Sequence, residues 1–140
     1  MQVVVDTSVW SLVLRRRTVP GQPDAATLAL KDLISDARAM LIGPVRQELL
    51  SGVKKPAQFE KLRNALTAFP DEPLTVADYE CAASFFNICK TKGIQGSHTD
   101  FLICAVAQQR KLPIFSLDRD FEYFSGCLPV SLFGLSGKVI

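Results

Sequence analysis

Val3-Val4-Val5-Asp6-Thr7-Ser8-Val9-Trp10 opens a chain of 140 residues and decides how the rest is read. A run of β-branched residues with no polar alternation fits a strand buried on both faces, the pattern of parallel sheets. We read that strand as Gln2 to Val5. Asp6, Thr7 and Ser8 are helix-capping residues, so the strand hands over at once to a short helix through Val9, Trp10, Val13 and Leu14.

Working outward, the strand–helix alternation repeats. Arg15 to Asp24, with two prolines and a glycine, reads as a loop. Ala25 to Arg38 has apolar residues at helical spacing (Ala26, Leu30, Leu33, Ile34, Ala37). Met40-Leu41-Ile42 is a second strand, broken by Gly43-Pro44, with a helix from Val45 to Leu50 that Gly52 can end. Further helices are expected at about Pro56–Ala68, Ala77–Lys92 and Ser97–Arg110. Leu74-Thr75-Val76 is expected to form a short edge, Pro113 to Ser116 a third main strand, Phe121 to Phe124 a helical turn and Leu128 to Leu132 a final strand. Short apolar strands alternating with helices predict an α/β fold. The expectation is one domain over residues 1–140, with a central, mostly parallel sheet of four to five short strands flanked by helices.

Composition narrows the function. No stretch approaches the roughly 20 apolar residues that span a bilayer, and the apolar start is too short and lacks the basic flank of a signal peptide. A cytoplasmic protein with no membrane partner is expected. Cys81, Cys89, Cys104 and Cys127 contain no CxxC pair, and His98 is the sole histidine. A Cys/His zinc site is therefore disfavoured, and free thiols in a reducing compartment are expected. A net charge of +2 says little. Arg15-Arg16-Arg17, Lys54-Lys55, Lys90/Lys92 and Arg110-Lys111 fit a phosphate backbone or solvated helix ends equally well.

The acids say more. In parallel α/β folds functional residues gather beyond the carboxyl ends of the strands. Asp6 follows the first strand, Glu48 lies in the helix launched by the second, and Asp118 and Asp120 follow the third. Asp100 opens the helix that feeds the third. Singly, each has a plainer role: Asp6, Asp118 or Asp120 as a cap, Asp100 in a capping box with Ser97, Glu48 as a solvated helix residue. Together they would have to protonate, spread apart or bind a cation. Two carboxylates ~4 Å apart repel by roughly 4 kcal/mol at an effective dielectric near 20, and several such pairs would erode much of a ~5–15 kcal/mol folding stability. An oxygen-only site suits Mg²⁺ or Mn²⁺.

At this point the chain resembles a known family, the PIN-domain ribonucleases, especially the VapC toxins of toxin–antitoxin pairs. Val3 to Trp10 resembles the opening strand and its D-T/S-S signature. Gly43-Pro44-Val45-Arg46-Gln47-Glu48-Leu49-Leu50-Ser51-Gly52 resembles the second acidic motif, Thr99-Asp100-Phe101-Leu102-Ile103-Cys104-Ala105 the third, and Ile114-Phe115-Ser116-Leu117-Asp118-Arg119-Asp120-Phe121 the fourth. The resemblance runs from about residue 2 to about residue 132. It implies that Asp6, Glu48, Asp100 and Asp118 form a catalytic pocket that binds Mg²⁺ or Mn²⁺. Asp120 is then a supporting acid or a helix cap, and Thr7, Ser8 and Ser116 are hydroxyls that orient carboxylates or a water. Cys104 stands where a small residue is usual, a change of packing. Phe101 is read as core, and His98 as a partly exposed structural residue.

The implied activity is metal-dependent hydrolysis of RNA phosphodiester bonds, with tRNA or rRNA as substrate, a VapB-like antitoxin as partner and a homodimer as assembly. An aspartyl phosphohydrolase is disfavoured because Ser8 stands where its second acid belongs and its lysine pattern is missing. A non-catalytic PIN-like RNA-binding module is the alternative.

Overall fold

Three valines at the head of the chain occupy the middle of the sheet. In the computed structural model, which describes residues 1–14 and 24–135, β1 (Val3–Val5) is fully buried. It pairs in parallel with β2 (Ala39–Ile42) on one side and β4 (Ile114–Phe115) on the other. β3 (Asp71–Glu72) pairs in parallel outside β2, giving the order β3-β2-β1-β4. The register sets Val4 beside both Met40 and Ile114. A strand flanked on both edges and covered on both faces meets no water, which is why it reads as an unbroken β-branched run.

Seven helices surround the sheet among the described residues: α1 (Thr7–Leu14), α2 (Ala25–Ser35), α3 (Gly43–Leu50), α4 (Pro56–Leu66), α5 (Val76–Thr91), α6 (His98–Arg110) and α7 (Asp120–Cys127). Their starts follow local chemistry. The Asp24 carboxylate accepts from Thr27 N at 2.7 Å, Pro44 and Pro56 sit in first turns, and Thr75 and Ser97 build capping boxes with Asp78 and Asp100. Trp10, Phe101, Phe115, Phe121 and Phe124 are the largest side chains sealed in the core. The Trp10 indole donates to Val5 O at 3.2 Å, tying α1 back to β1. None of the helices is long and apolar enough to cross a membrane, among the described residues.

The α/β class, the parallel sheet and the helix order agree with the sequence expectations; several boundaries do not. The edge strand is Asp71–Glu72, not Leu74–Val76. Thr75 instead caps α5, and Val76 opens that helix largely exposed. Hydropathy missed this strand because it is made of two acids, held by Arg46 on Asp71 and Arg110 on Glu72. Leu128 to Leu132 gives only an isolated bridge, Leu132 with Ile114. Its partner β4 is two residues long, and Pro129 brings no N–H to a ladder. The second helix stops at Ser35, three residues early, because Ala37 turns left-handed at φ 55°. The expected loop Arg15 to Asp24 lies outside the described residues except for Asp24.

Arg110, in the last turn of α6, is the main polar tie of the fold. Its guanidinium donates to both oxygens of Asp78 (2.8 and 2.9 Å), to Glu72 Oε1 (3.1 Å) and to Pro73 O (3.0 Å). Asp78 is only 1% exposed. The basic cluster Arg110-Lys111 therefore splits: Lys111 is solvated, Arg110 is built in.

Candidate functional site

The order β3-β2-β1-β4 reverses direction between β1 and β4, and in open parallel sheets that is where the crevice beyond the strand ends lies. A cleft of about 630 Å³ opens there, lined by Asp6, Thr7, Ser8, Glu48, Asp100 and Asp118, with Pro44, Gln47, Ser51, Ser97 and Thr99 completing the wall. Among the described residues, no lysine or arginine lines it. Arg46 in the second motif points away, donating to Asp71 at 2.8 Å and to the carbonyls of Leu66 and Phe69.

Each acid is placed by its own element. Asp6 extends the β1 ladder by donating its N–H to Phe115 O at 2.9 Å. Its side chain is 5% exposed, and Oδ2 accepts from Ser8 Oγ and Ser116 Oγ, both 2.7 Å, and from Ser8 N at 3.3 Å. Glu48, two turns into α3, accepts from Thr7 Oγ1 at 2.7 Å through Oε1. Asp100 Oδ2 accepts from Ser97 N at 2.9 Å while Ser97 Oγ takes Asp100 N at 3.1 Å. Asp118 Oδ1 accepts from Asp120 N at 2.9 Å, and Asp118 N donates to Ser116 Oγ at 3.0 Å.

One pattern runs through all four. The protein holds one oxygen of each carboxylate and leaves Asp6 Oδ1, Glu48 Oε2, Asp100 Oδ1 and Asp118 Oδ2 without a hydrogen-bond partner among the described residues. The orienting donors are hydroxyls and backbone amides, none of them cationic. Burial pushes the Asp100 carboxyl above the usual carboxylate range; the Ser97 amide opposes this, and the charges of Asp6 and Asp118 add to the rise. Among the described residues, the cleft is thus an anionic site without an internal counter-charge.

All-oxygen donors and uncompensated charge fit a hard divalent cation. Among the described residues, no group of three or more His, Cys, Asp or Glu side chains is placed so that it could hold a metal ion by itself.

Of the residues singled out in the sequence, Asp120 does not line the cleft; it opens α7, and its amide orients Asp118. Ser116 also stands behind the wall and acts through Asp6 and Asp118. His98 is exposed and stacks on Phe86 at 5.5 Å, outside the cleft. Phe101 is core. Sequence reasoning did not single out Gln47, Ser51 or Thr99 as wall residues. Their signal was adjacency: Gln47 and Thr99 each precede an acid, and Ser51 follows Glu48 by nearly one helical turn.

Comparison with known proteins agrees with this geometry. The family described as PIN domain matches residues 3–126. Among solved structures, FitAcB from Neisseria gonorrhoeae superposes with a TM-score of 0.73 at 20% identity, covering 98% of this chain and 100% of that one. VapBC2 from Rickettsia felis, bound to a DNA fragment from its promoter, gives 0.68 at 17% identity over 92% and 94%. VapBC-5 from Mycobacterium tuberculosis, of the VapBC family of toxin–antitoxin systems, gives 0.67 at 21% over 94% and 96%. These likenesses are of fold. No curated protein matches by sequence. With the family match spanning both the sheet and the acidic cleft, the chain belongs to the PIN domain family.

Proposed function

We propose that this chain, as a single domain over residues 1–140, is a divalent-cation-dependent endoribonuclease and the toxin of a toxin–antitoxin pair, acting in the cytoplasm on tRNA or rRNA. The observation that carries the reading is the set of four carboxylates, each with one oxygen fixed by the protein and one left for the cleft.

An RNA backbone is anionic, and so is this cleft. The two repel until a cation stands between them, so the acids make a cation a condition of substrate binding. Asp6, Glu48, Asp100 and Asp118 would hold Mg²⁺ or Mn²⁺. When bound, such an ion offsets charge on the phosphoryl oxygen, eases loss of a proton from the attacking water and stabilises the leaving oxygen. The chain's own part is orientation. Ser8 and Ser116 fix Asp6, Thr7 fixes Glu48, and Ser97 fixes Asp100, so the free oxygens would meet a cation already positioned. No nucleophilic Cys or His lines the cleft, which favours direct attack by water over a covalent intermediate.

The structural neighbours include a toxin–antitoxin complex from Klebsiella pneumoniae and a member of the VapBC family of toxin–antitoxin systems, which supports a small VapB-like antitoxin that covers the cleft with a basic residue, and a homodimer. The test is incubation of the purified chain with total cellular RNA and Mg²⁺ or Mn²⁺, beside EDTA and Asp6→Asn controls. Discrete cleavage that both controls abolish is expected, and sequencing the new ends names the target. RNA that is bound but uncut across metals and RNA pools would replace this reading with the non-catalytic binding module.

A further inference from the structure

Two of the four cysteines meet away from the acidic cleft. Cys89, near the end of α5, is fully buried, and Cys127, the last residue of α7, is half-buried. Their Sγ atoms stand 3.3 Å apart although 38 residues separate them in sequence. Otherwise Cys127 Sγ reaches only the carbonyls of Tyr123 and Phe124 in its own helix, both at 3.6 Å. A disulfide needs the sulfurs at ~2.05 Å, so closure asks for an approach of little more than an ångström. Packing as a small hydrophobe accounts for Cys89 alone. It does not account for a sulfur partner that is itself open to solvent.

We propose that Cys89 and Cys127 are a redox-modifiable pair that closes to an intramolecular disulfide when the protein meets a peroxide. The steps divide by accessibility. The half-exposed Cys127 sulfur, as thiolate, attacks one peroxide oxygen; the O–O bond breaks, Cys127 becomes a sulfenic acid, and the other oxygen leaves as water after taking a proton. Cys89 Sγ then attacks the Cys127 sulfur, the S–S bond forms, and the sulfenic oxygen leaves as a second water carrying the Cys89 proton. Two thiols lose two electrons, and one peroxide becomes two waters. Burial pushes the Cys89 thiol up to about 12, its hydrogen bond to Cys127 and that neighbour's charge adding to the rise, with Lys92 opposing. Cys89 therefore stays a thiol while Cys127 meets the peroxide, and it is the 3.3 Å contact with Cys127 that fits Cys89 to the second step. The bridge would fasten the end of α7 to α5. Cys81, which faces Gln108, and the fully buried Cys104 serve as internal controls.

The experiment treats the reduced, full-length chain with hydrogen peroxide, blocks remaining thiols with a maleimide, and reads intact mass and the non-reducing peptide map. Expected are a loss of two alkylatable thiols, a Cys89–Cys127 cross-linked peptide, reversal by dithiothreitol, and a melting temperature raised by several degrees by closing the loop. Cys127→Ser should leave the other three thiols unbridged, and this half-exposed site keeps the test usable where Cys89→Ser fails to fold. Four thiols still alkylated, a bridge through Cys81 or Cys104, an intermolecular bridge, a sulfinic acid without a bridge, or a bridged chain that melts lower than the reduced one would each overturn the proposal.

Discussion

Replacing Arg110 by Met should cost more than any other single surface-reaching substitution, because of what it leaves behind. Methionine keeps an apolar stem of similar length, so packing changes little. The four hydrogen bonds of the guanidinium go, and the Asp78 carboxylate, 1% exposed, keeps only the amide of Thr75 at 2.9 Å. Removing one partner of a buried pair costs about 3–5 kcal/mol, out of a total of roughly 5–15 kcal/mol. For a chain of this size that is a fall in Tm of roughly 10–15 °C. Urea titration and calorimetry give the number, and pH gives the cause. The hydrogen bonds from Arg110 hold the Asp78 carboxyl below the usual carboxylate range, burial opposing them. A depressed folded value means the pair's contribution is complete above the unfolded value of ~3.9 and fades as pH falls through the folded one. Without Arg110 the orphaned carboxylate is relieved by taking up a proton, so the mutant's deficit should shrink between neutral pH and about pH 4. Arg110→Met with Asp78→Asn should recover much of the loss. A deficit under about 1 kcal/mol, or one that does not change over that pH range, refutes the reasoning.

Other outcomes follow from the cleft and the core. Ser116→Ala removes one of the three donors to Asp6 Oδ2 and should lower RNA cleavage about 10–100-fold with Tm nearly unchanged, measured by initial rates on the identified RNA. Asp100→Asn should stabilise the metal-free chain by on the order of 1 kcal/mol while abolishing the rise in Tm that Mn²⁺ gives the parent. The Asp100 carboxyl is raised in the fold, so its ionisation costs stability as pH rises through the carboxylate range, and the gain should grow in that direction. Gly96→Ala would set a Cβ 2.6 Å from Phe124 and 3.0 Å from Phe101, both core rings, and should cost about 1–3 kcal/mol by urea titration.

How much of this was legible in the sequence depended on distance along the chain. Val3 to Asp6 announced a buried strand and an acid at its carboxyl end, because burial on both faces selects β-branched residues and strand ends select the site. Capping at Thr75 and Ser97 is local chemistry; the Ser97 box was read correctly, while Thr75 was mistaken for strand. What stayed hidden was long-range and polar. Ser116 orients Asp6 across 110 residues, and the acidic edge strand exists through arginines 25 and 38 residues away. No periodicity encodes such a pairing, so Arg110 looked like one more solvated basic residue at a helix end. Glu48, exposed on α3, carried no local sign of a role beyond the resemblance of its motif.

The central place of β1 has a consequence for the order of events at the ribosome. β1 is made before either of its neighbours and is the last of the three to be enclosed, since it needs β2 on one edge and β4, followed by Ser116, on the other. A growing chain that stops short of β4 therefore carries three of its four cleft acids, with Asp6 held by Ser8 alone and β1 open along one side. On the reading of the cleft as a nuclease, a cell making this protein is spared cutting by half-made copies, because cleavage competence waits until Ser116 and Asp118 have been made.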